Sequence, residues 1–301
     1  MIINANADDV ARDSRAALIA LHASVALFGF AALFGKWIPL PATAIVLGRS
    51  AVAALTLAIV ARVRGRPLGH ADATLAFSGA ILALHWISFF AAIQIANVAI
   101  GLLGYAAFPV FVLVLERRFL VKEASYRDGA TALLATVGLA ALVPDFSWSS
   151  SATRGLALGL VSGFTFAWLT VRNRRLVADQ PAMRIALWQN AFAAAWLFPI
   201  VAIADSASKW PRPADVGLLI VLGVACTALA HTLFIASMHR VSAHRASVVA
   251  ALEPVYGIAL AAWLLHEIPN GRTIVGGGLV VAAALLASGS RKAGDEQVRL
   301  Q

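Results

Sequence analysis

Apolar windows of about 20 residues recur along almost the whole chain, and this recurrence limits its possible folds more than any other feature. A helix rises about 1.5 Å per residue, so about 20 mostly apolar residues cross the roughly 30 Å hydrocarbon core of a bilayer. Ten such windows can be marked, at 16–35, 42–61, 73–94, 98–115, 128–143, 154–171, 185–204, 214–237, 246–265 and 272–288. The sequence therefore predicts an all-α polytopic membrane protein with ten transmembrane helices.

Composition supports the membrane class and argues against a nucleic-acid-binding protein. Hydrophobic residues make up 60% of the 301 residues and charged residues only 13%, a balance that is unusual for a water-soluble protein of this size. The formal net charge is +9, but the Lys and Arg residues fall between the apolar windows rather than along one face. We therefore expect a lipid bilayer, and no nucleic acid, as a partner.

The distribution of positive charge predicts the orientation of the chain. With the amino terminus inside, the inner segments hold eighteen of the 24 Lys and Arg residues, the outer segments hold five, and Arg49 lies within a window. Cytoplasmic loops of membrane proteins carry such an excess of positive charge. Residues 1–15 and 289–301 are therefore predicted to be cytoplasmic tails, and an even number of spans is required.

A short internal repeat divides the membrane part into two halves. Phe108-Pro109-Val110-Phe111 in the fourth window is echoed by Glu253-Pro254-Val255-Tyr256 in the ninth. The repeating unit is five helices, with boundaries at 16–143 and 144–288. Because five is odd, the second copy enters the membrane in the opposite orientation. Inverted repeats are typical of secondary transporters, which bind the substrate near the midplane between the halves.

These motifs resemble the drug/metabolite transporter superfamily, and in particular its EamA-type ten-helix members. The likeness covers nearly the whole chain and includes Phe34-Gly35-Lys36, Arg49, Leu252 to Tyr256, and Trp263 to Glu267. Within that family the chain is most similar to YddG-type exporters of aromatic and other neutral amino acids. The resemblance implies a bacterial inner-membrane exporter with alternating access around a central cavity. The first-half counterpart of Glu267 is either Glu116 or Glu123.

Glu253 is the residue most expected to take part in transport. An ionised carboxylate near the middle of a span costs about 2.5–3.5 kcal/mol on insertion scales, so it should face protein or water. Pro254 removes a backbone donor immediately after it and favours a kink. Glu253 is either a counter-charge or proton-coupling site for the substrate, or a protonated acid that stabilises the broken helix.

Three further polar residues have both a functional and a structural interpretation. His85 and His231 either contact the substrate or form structural hydrogen bonds as neutral rings. Arg49 either binds a carboxylate, extends to the outer headgroups, or bonds a helix end. The spacing of the histidines predicts no metal site.

Aromatic residues are expected to form the wall of the substrate cavity, because stacking favours apolar or aromatic side chains. The candidates are Trp86, Phe89, Tyr105, Phe108, Trp168 and Tyr256. Helix breaks or hinges are predicted at Pro109, Pro254, Gly163 and Gly257. The glycine series at positions 155, 159 and 163 favours close helix packing.

A secondary transporter explains these features better than an enzyme or a channel. The usual signatures of phosphate loops, zinc helices and nucleophile elbows are absent from the sequence. The expected substrate is a neutral or aromatic amino acid, with a broad-specificity drug or metabolite exporter and a membrane-embedded enzyme as alternatives. No cofactor is expected, and a monomer is sufficient for this function.

Overall fold

The computed structural model describes residues 7–120, 126–142, 147–203 and 211–289, and all regular elements in these ranges are helical. They are α1 (Ala7–Ala31), α2 (Phe34–Trp37), α3 (Ala42–Val63), α4 (Ala73–Ile95), α5 (Val98–Tyr105), α6 (Phe108–Leu120), α7 (Tyr126–Leu142), α8 (Ser151–Asp179), α9 (Ala182–Ile203), α10 (Pro213–Gly223), α11 (Ala230–Ser237), α12 (Ala243–Ala250), α13 (Glu253–Leu264) and α14 (Gly271–Gly289). Glu123, the predicted boundary at 143–144 and most of the carboxy-terminal tail lie outside the described residues.

Eight spans in the described residues are long and apolar enough to cross a membrane, which confirms a polytopic membrane protein. They are Arg15–Trp37, Ala42–Val63, Ala73–Ile95, Val98–Glu116, Ser151–Asp179, Ala182–Ile203, Pro213–Ser237 and Arg245–Leu264. The fifth and tenth predicted windows coincide with the shorter apolar stretches Leu133–Leu142 and Gly271–Ala283. The count of ten spans stays a prediction.

Large apolar side chains also cover the outside of the helical bundle. Ile59, Phe77, Phe198 and Ile274 are each more than half exposed, and they lie on four different helices. An apolar outer surface of this kind suits contact with lipid rather than water.

The fourth and ninth predicted spans are each broken at the same place relative to a proline. The backbone turns at Ala106 and Ala107, before Pro109, and at Ala251 and Leu252, before Pro254. Proline lacks the N–H that would bond the carbonyl four residues earlier, so an uninterrupted helix is not available there. Each of these two spans therefore consists of two shorter helices.

Glycines allow other helices to approach these breaks closely. A Cβ atom on Gly163 would lie 2.8 Å from the carbonyl oxygen of Tyr105, which is the carbonyl that Pro109 leaves without its helical donor. A Cβ atom on Gly29 would lie 3.0 Å from the carbonyl oxygen of Glu253. Real Cβ contacts are rarely so short, so only glycine permits this packing.

The helix pairings occur in matching sets across the two halves of the chain. Helix α4 packs on α8 as α11 packs on α1, and α8 packs on α5 and α6 as α1 packs on α12 and α13. The pairs α3 with α9 and α7 with α14 each join the equivalent helices of the two halves, so exchanging the halves leaves these pairs unchanged. Helices from both sets line the central cavity, with α4, α5 and α8 from one and α1, α11 and α13 from the other.

The eighth predicted span contains a widened turn. Residues Val224–Leu229 form a π-helical segment between α10 and α11. The hydroxyl of Thr227 donates to the carbonyl oxygen of Leu222, five residues earlier, at 2.7 Å. Single π-helical turns often occur at functional sites, and this one lies beside the cavity.

Candidate functional site

A buried cavity lies between the two halves and is lined by α1, α3, α4, α5, α8, α11 and α13. Its lining residues are Phe28, Ala31, Arg49, Leu82, His85, Trp86, Phe89, Tyr105, Phe166, His231 and Glu253. The space that a water-sized sphere can enter is only ≈ 20 Å³, enough for about one water molecule. Pockets that hold drug-sized ligands usually measure about 300–1,000 Å³. This conformation is therefore closed around the site.

Arg49 contributes a buried positive charge to the cavity. Its side chain is 2% exposed, and its guanidinium carbon lies 4.1 Å from the centre of the Trp86 ring. Nε donates to Thr227 Oγ1 at 2.9 Å, and Nη2 donates to the carbonyl oxygen of Cys226 at 3.2 Å. Arg49 therefore bonds the π-helical turn inside the eighth span; it bonds protein, as its structural interpretation requires, but at neither a helix end nor the headgroups.

Glu253 contributes an acidic group to the same cavity. It is 3% exposed and begins α13, directly after the break. The hydroxyl of Tyr105 is its hydrogen-bond partner, while Oε2 is buried with no partner among the described residues. No ion pair within 4 Å joins Glu253 to Arg49 in the described part of the chain. Both groups therefore keep capacity to bind a ligand.

His85 is held in a fixed orientation by α8. Its Nδ1 lies 3.0 Å from the carbonyl oxygen of Ser162 and 2.9 Å from the Ser162 hydroxyl. Its ring stacks on Phe166, with 4.9 Å between the ring centres and an interplanar angle of 26°. A side chain with one nitrogen bonded and one face covered can interact with a ligand only through its remaining edge.

His231 lies on the other side of the cavity and contacts Trp86 edge to face, with 5.9 Å between the ring centres. Nδ2 of Asn190 lies 3.4 Å from Nδ1 of His231 and donates to the carbonyl oxygen of Ala186 at 2.8 Å. Oδ1 of Asn190 is buried without a partner among the described residues. This side of the cavity is therefore polar but incompletely hydrogen-bonded.

Aromatic rings surround the polar groups. Phe166 contacts Tyr105, Phe108 and Phe28, with ring centres 5.5, 5.2 and 6.3 Å away. Tyr105 stacks on Phe108 at 5.2 Å with an interplanar angle of 19°. The wall thus offers flat apolar surfaces close to the buried charges.

Most residues predicted for the site meet in this cavity. His85, Trp86, Phe89, Tyr105, His231 and Glu253 line it. Phe108 lies behind Tyr105 and is fully buried.

Two predicted residues lie away from the cavity. Trp168 packs edge to face on Phe77 at 5.4 Å, in a groove on the outside of α4 and α8. Tyr256 is 36% exposed and lies beside Gly29, while Gly257 faces α1.

Sequence reasoning missed Phe28 and Phe166 as cavity residues. Both are apolar residues in the apolar parts of α1 and α8, where hydropathy does not distinguish a cavity phenylalanine from one that only packs. A role for Arg49 as a ligand for a carboxylate is one of the sequence-based alternatives, and a buried arginine within a span is the signal that supports it.

A polar contact away from the cavity joins helices at the end of the bundle that is predicted, from the distribution of Lys and Arg, to face outside. Nζ of Lys36 lies 3.8 Å from Oε1 of Glu267 and donates to the carbonyl oxygen of Ala96 at 3.4 Å. Oε2 of Glu267 accepts from the backbone N–H of Val98 at 3.0 Å. This contact ties the end of α2, the start of α5 and the segment after α13 together.

Comparisons with known proteins agree with a transport site. The sequence model of the EamA-like transporter family matches residues 153–289. The chain is 29% identical to a pseudopaline exporter from Pseudomonas aeruginosa, over 84% of this chain and 88% of that protein. It is 27% identical to an uncharacterized transporter from Archaeoglobus fulgidus, over 74% and 78% of the two chains.

A more distant relative and a solved structure complete the comparison. A biotin transporter from Escherichia coli is 25% identical over 80% of this chain and 81% of its own length. A crystal structure with 19% identity superposes with a TM-score of 0.71, covering 93% of this chain and 98% of its own, which shows a shared fold. The matched family and these named relatives are transporters, not enzymes. The predicted resemblance to EamA-type transporters is therefore confirmed, and the comparisons support a membrane transporter.

Proposed function

We propose that this transporter exports neutral amino acids, with a preference for aromatic side chains, by alternating access around the central cavity. The observation that carries the proposal is the presence of Arg49 and Glu253 in one buried cavity without an ion pair between them. Two buried opposite charges that do not neutralise each other directly are costly unless a ligand or hydrogen bonds compensate them.

A zwitterionic amino acid has the complementary charges. Its carboxylate would bind the guanidinium of Arg49, because arginine presents several N–H donors in a fork that fits a carboxylate. Its ammonium group would donate to Oε2 of Glu253, which has no partner among the described residues. The net charge of the occupied site would then remain unchanged.

The aromatic wall supports the choice of side chain. Trp86, Phe89 and Phe166 present flat apolar surfaces to the cavity. Contact between aromatic rings adds about 0.5–1.5 kcal/mol beyond the burial of apolar area. Tryptophan, tyrosine and phenylalanine are therefore the expected preferred substrates.

Binding requires the cavity to enlarge, since it now has room for about one water molecule. We expect the two halves to rock about the broken helices, where hydrogen bonds are already missing. Pro109 and Pro254 are the expected hinges, with Gly163 and Gly257 as the close contacts that move with them. At the outer end, the contact between Lys36 and Glu267 would have to open.

The proposed architecture is two inverted repeats of five helices, 16–143 and 144–288, with both tails in the cytoplasm of a bacterial cell. The matching helix pairings and the equivalent breaks in the fourth and ninth spans support this repeat. YddG-like amino acid exporters are the subgroup that we propose, and no oligomeric partner is needed to complete the cavity.

A broad-specificity metabolite exporter is the second candidate. Two relatives are named for different substrates, pseudopaline and biotin, at similar levels of identity to this chain. The apolar cavity wall would also accept many compounds without an amino acid backbone.

Counterflow in proteoliposomes separates the two candidates. Labelled L-tryptophan should enter vesicles preloaded with unlabelled L-tryptophan, saturably, and L-phenylalanine and L-leucine should compete. Tryptamine, which lacks the carboxylate, and indole-3-propionate, which lacks the amine, should compete weakly. Equal competition by all of these compounds would favour the broad exporter, and no counterflow above protein-free vesicles would overturn the amino acid proposal.

A further inference from the structure

His85 has one ring nitrogen that the protein uses and one that it does not. Nδ1 is engaged by Ser162, whereas no described residue bonds Nε2. Fully buried nitrogen and oxygen atoms without a hydrogen-bond partner are few in the described residues, and Nε2 of His85 is not one of them. His85 also lines the cavity. The free nitrogen therefore opens onto the cavity, where a ligand can reach it.

The surroundings of Nδ1 identify the tautomer. The carbonyl oxygen of Ser162 can only accept a hydrogen bond, and it lies 3.0 Å from Nδ1. Two lone pairs facing each other at this distance would repel, so Nδ1 must carry the proton and donate it. The Ser162 hydroxyl, 2.9 Å away, adjusts to this by rotation. In the neutral ring Nε2 is then a hydrogen-bond acceptor.

The position of the ring is fixed by its neighbours. Phe166 covers one face at 4.9 Å, and Tyr105 and Phe89 lie 5.8 and 6.3 Å from the ring centre. An acceptor held rigidly inside an aromatic wall meets the side chain of a bound ligand rather than its charged backbone groups, for which Arg49 and Glu253 are available.

We propose that His85 determines specificity, by accepting a hydrogen bond through Nε2 from the side chain of the substrate. The indole N–H of tryptophan and the phenol O–H of tyrosine are suitable donors, while phenylalanine has none. A buried acceptor left unpaired is unfavourable, so among the aromatic substrates the site should favour tryptophan and tyrosine over phenylalanine. This inference rests on the proposed function, because it presumes an aromatic amino acid in the cavity.

The test compares L-tryptophan with its analogue β-(3-benzothienyl)-L-alanine, in which sulfur replaces the indole N–H and the shape is retained. We expect the wild-type protein to transport tryptophan roughly 3- to 10-fold more efficiently, the range for one neutral hydrogen bond. The ratio of tyrosine to phenylalanine transport should show the same preference.

Two amide variants then distinguish the acceptor role from packing. In His85→Asn the amide can still donate to Ser162 but does not reach the position of Nε2, so the ratio should fall to about 1. In His85→Gln an amide oxygen reaches the position of Nε2, so part of the preference should return. Phe89→Leu, which alters the wall but no hydrogen bond, should lower both transport rates together.

The outcomes are separable. Equal transport of tryptophan and its analogue by the wild-type protein would overturn the role of His85 and leave the amino acid proposal intact. A preference retained in His85→Asn would also overturn it. Failure of the wild-type protein to transport any amino acid would remove both proposals.

Discussion

Arg49 and Thr227 are joined by a hydrogen bond of 2.9 Å, although they lie 178 positions apart and in different halves of the chain. Arg49 also bonds the carbonyl oxygen of Cys226, so one side chain connects the cavity to the π-helical turn. A substrate carboxylate that binds the guanidinium would compete with these contacts. If the cavity binds a carboxylate as proposed, binding is linked to the packing of α3 against the eighth span.

This link predicts that charge alone cannot replace Arg49. Arg49→Lys keeps the charge but loses the fork that reaches both Thr227 and Cys226. We expect transport to fall roughly 10- to 100-fold, since hydrogen bonds to charged groups contribute about 1.5–3 kcal/mol. Thr227→Val removes one of these contacts and should have a smaller effect. Counterflow rates of the two variants check the order, and normal transport by the Arg49→Lys variant would contradict it.

The close approach of α8 to the first break predicts a specific sensitivity at Gly163. A methyl group there would lie 2.8 Å from the carbonyl oxygen of Tyr105, so Gly163→Ala should lower the free energy of unfolding by about 1–3 kcal/mol.

Gly217→Ala is the matched control, because a Cβ atom at that helical position meets nothing within 4 Å. It should be neutral or stabilising by up to about 1 kcal/mol. Thermal unfolding in one detergent compares the two variants. Equal midpoints would mean that the packing of α8 on the break is looser than 2.8 Å implies.

The contact between Lys36 and Glu267 predicts that the outer end of the cavity is held closed by charge. Glu267→Gln weakens both the ion pair and the bond to the N–H of Val98. A cysteine at Ala31, which lines the cavity, reports access in a Cys226→Ala background, since Cys226 is the only cysteine of the chain.

Glu267→Gln should raise the rate at which an impermeant thiol reagent modifies this cysteine from outside, about two- to fivefold for a partly exposed pair. Arg272→Gln, which removes another charge from the same predicted side, should leave the rate unchanged. If both substitutions give the wild-type rate, the pair does not control outer access.

The sequence was sufficient to predict the breaks before Pro109 and Pro254 and the inward position of the polar groups. Gly163 and Gly257, also predicted as breaks or hinges, lie within the continuous helices α8 and α13. Pro109 and Pro254 remove backbone donors wherever they stand, so their effect on a helix does not depend on packing. His85, His231 and Glu253 are polar residues in apolar spans, which must turn toward protein. This requirement turns each of them toward the interior, and the packing of the helices brings them together in one cavity.

The choice among aromatic residues could not be predicted in the same way. Trp168 follows Phe166 by two residues and therefore lies about 200° further around α8. Because Phe166 lines the cavity, Trp168 faces outward. Both residues are large and aromatic, so their hydropathy does not show which of the two is internal. Only the packing of α8 against α4 and α5 decides it.

Binding of L-tryptophan and indole-3-lactate to the purified protein tests the central claim, that Arg49 and Glu253 together recognise a zwitterion. Indole-3-lactate has a hydroxyl in place of the ammonium group and keeps the carboxylate and the ring. The wild-type protein should bind L-tryptophan at least roughly 10-fold more tightly, since the lost contact is a charge-assisted hydrogen bond. In Glu253→Gln this difference should fall to about twofold or less, through weaker binding of L-tryptophan. An undiminished difference in that variant would contradict the claim.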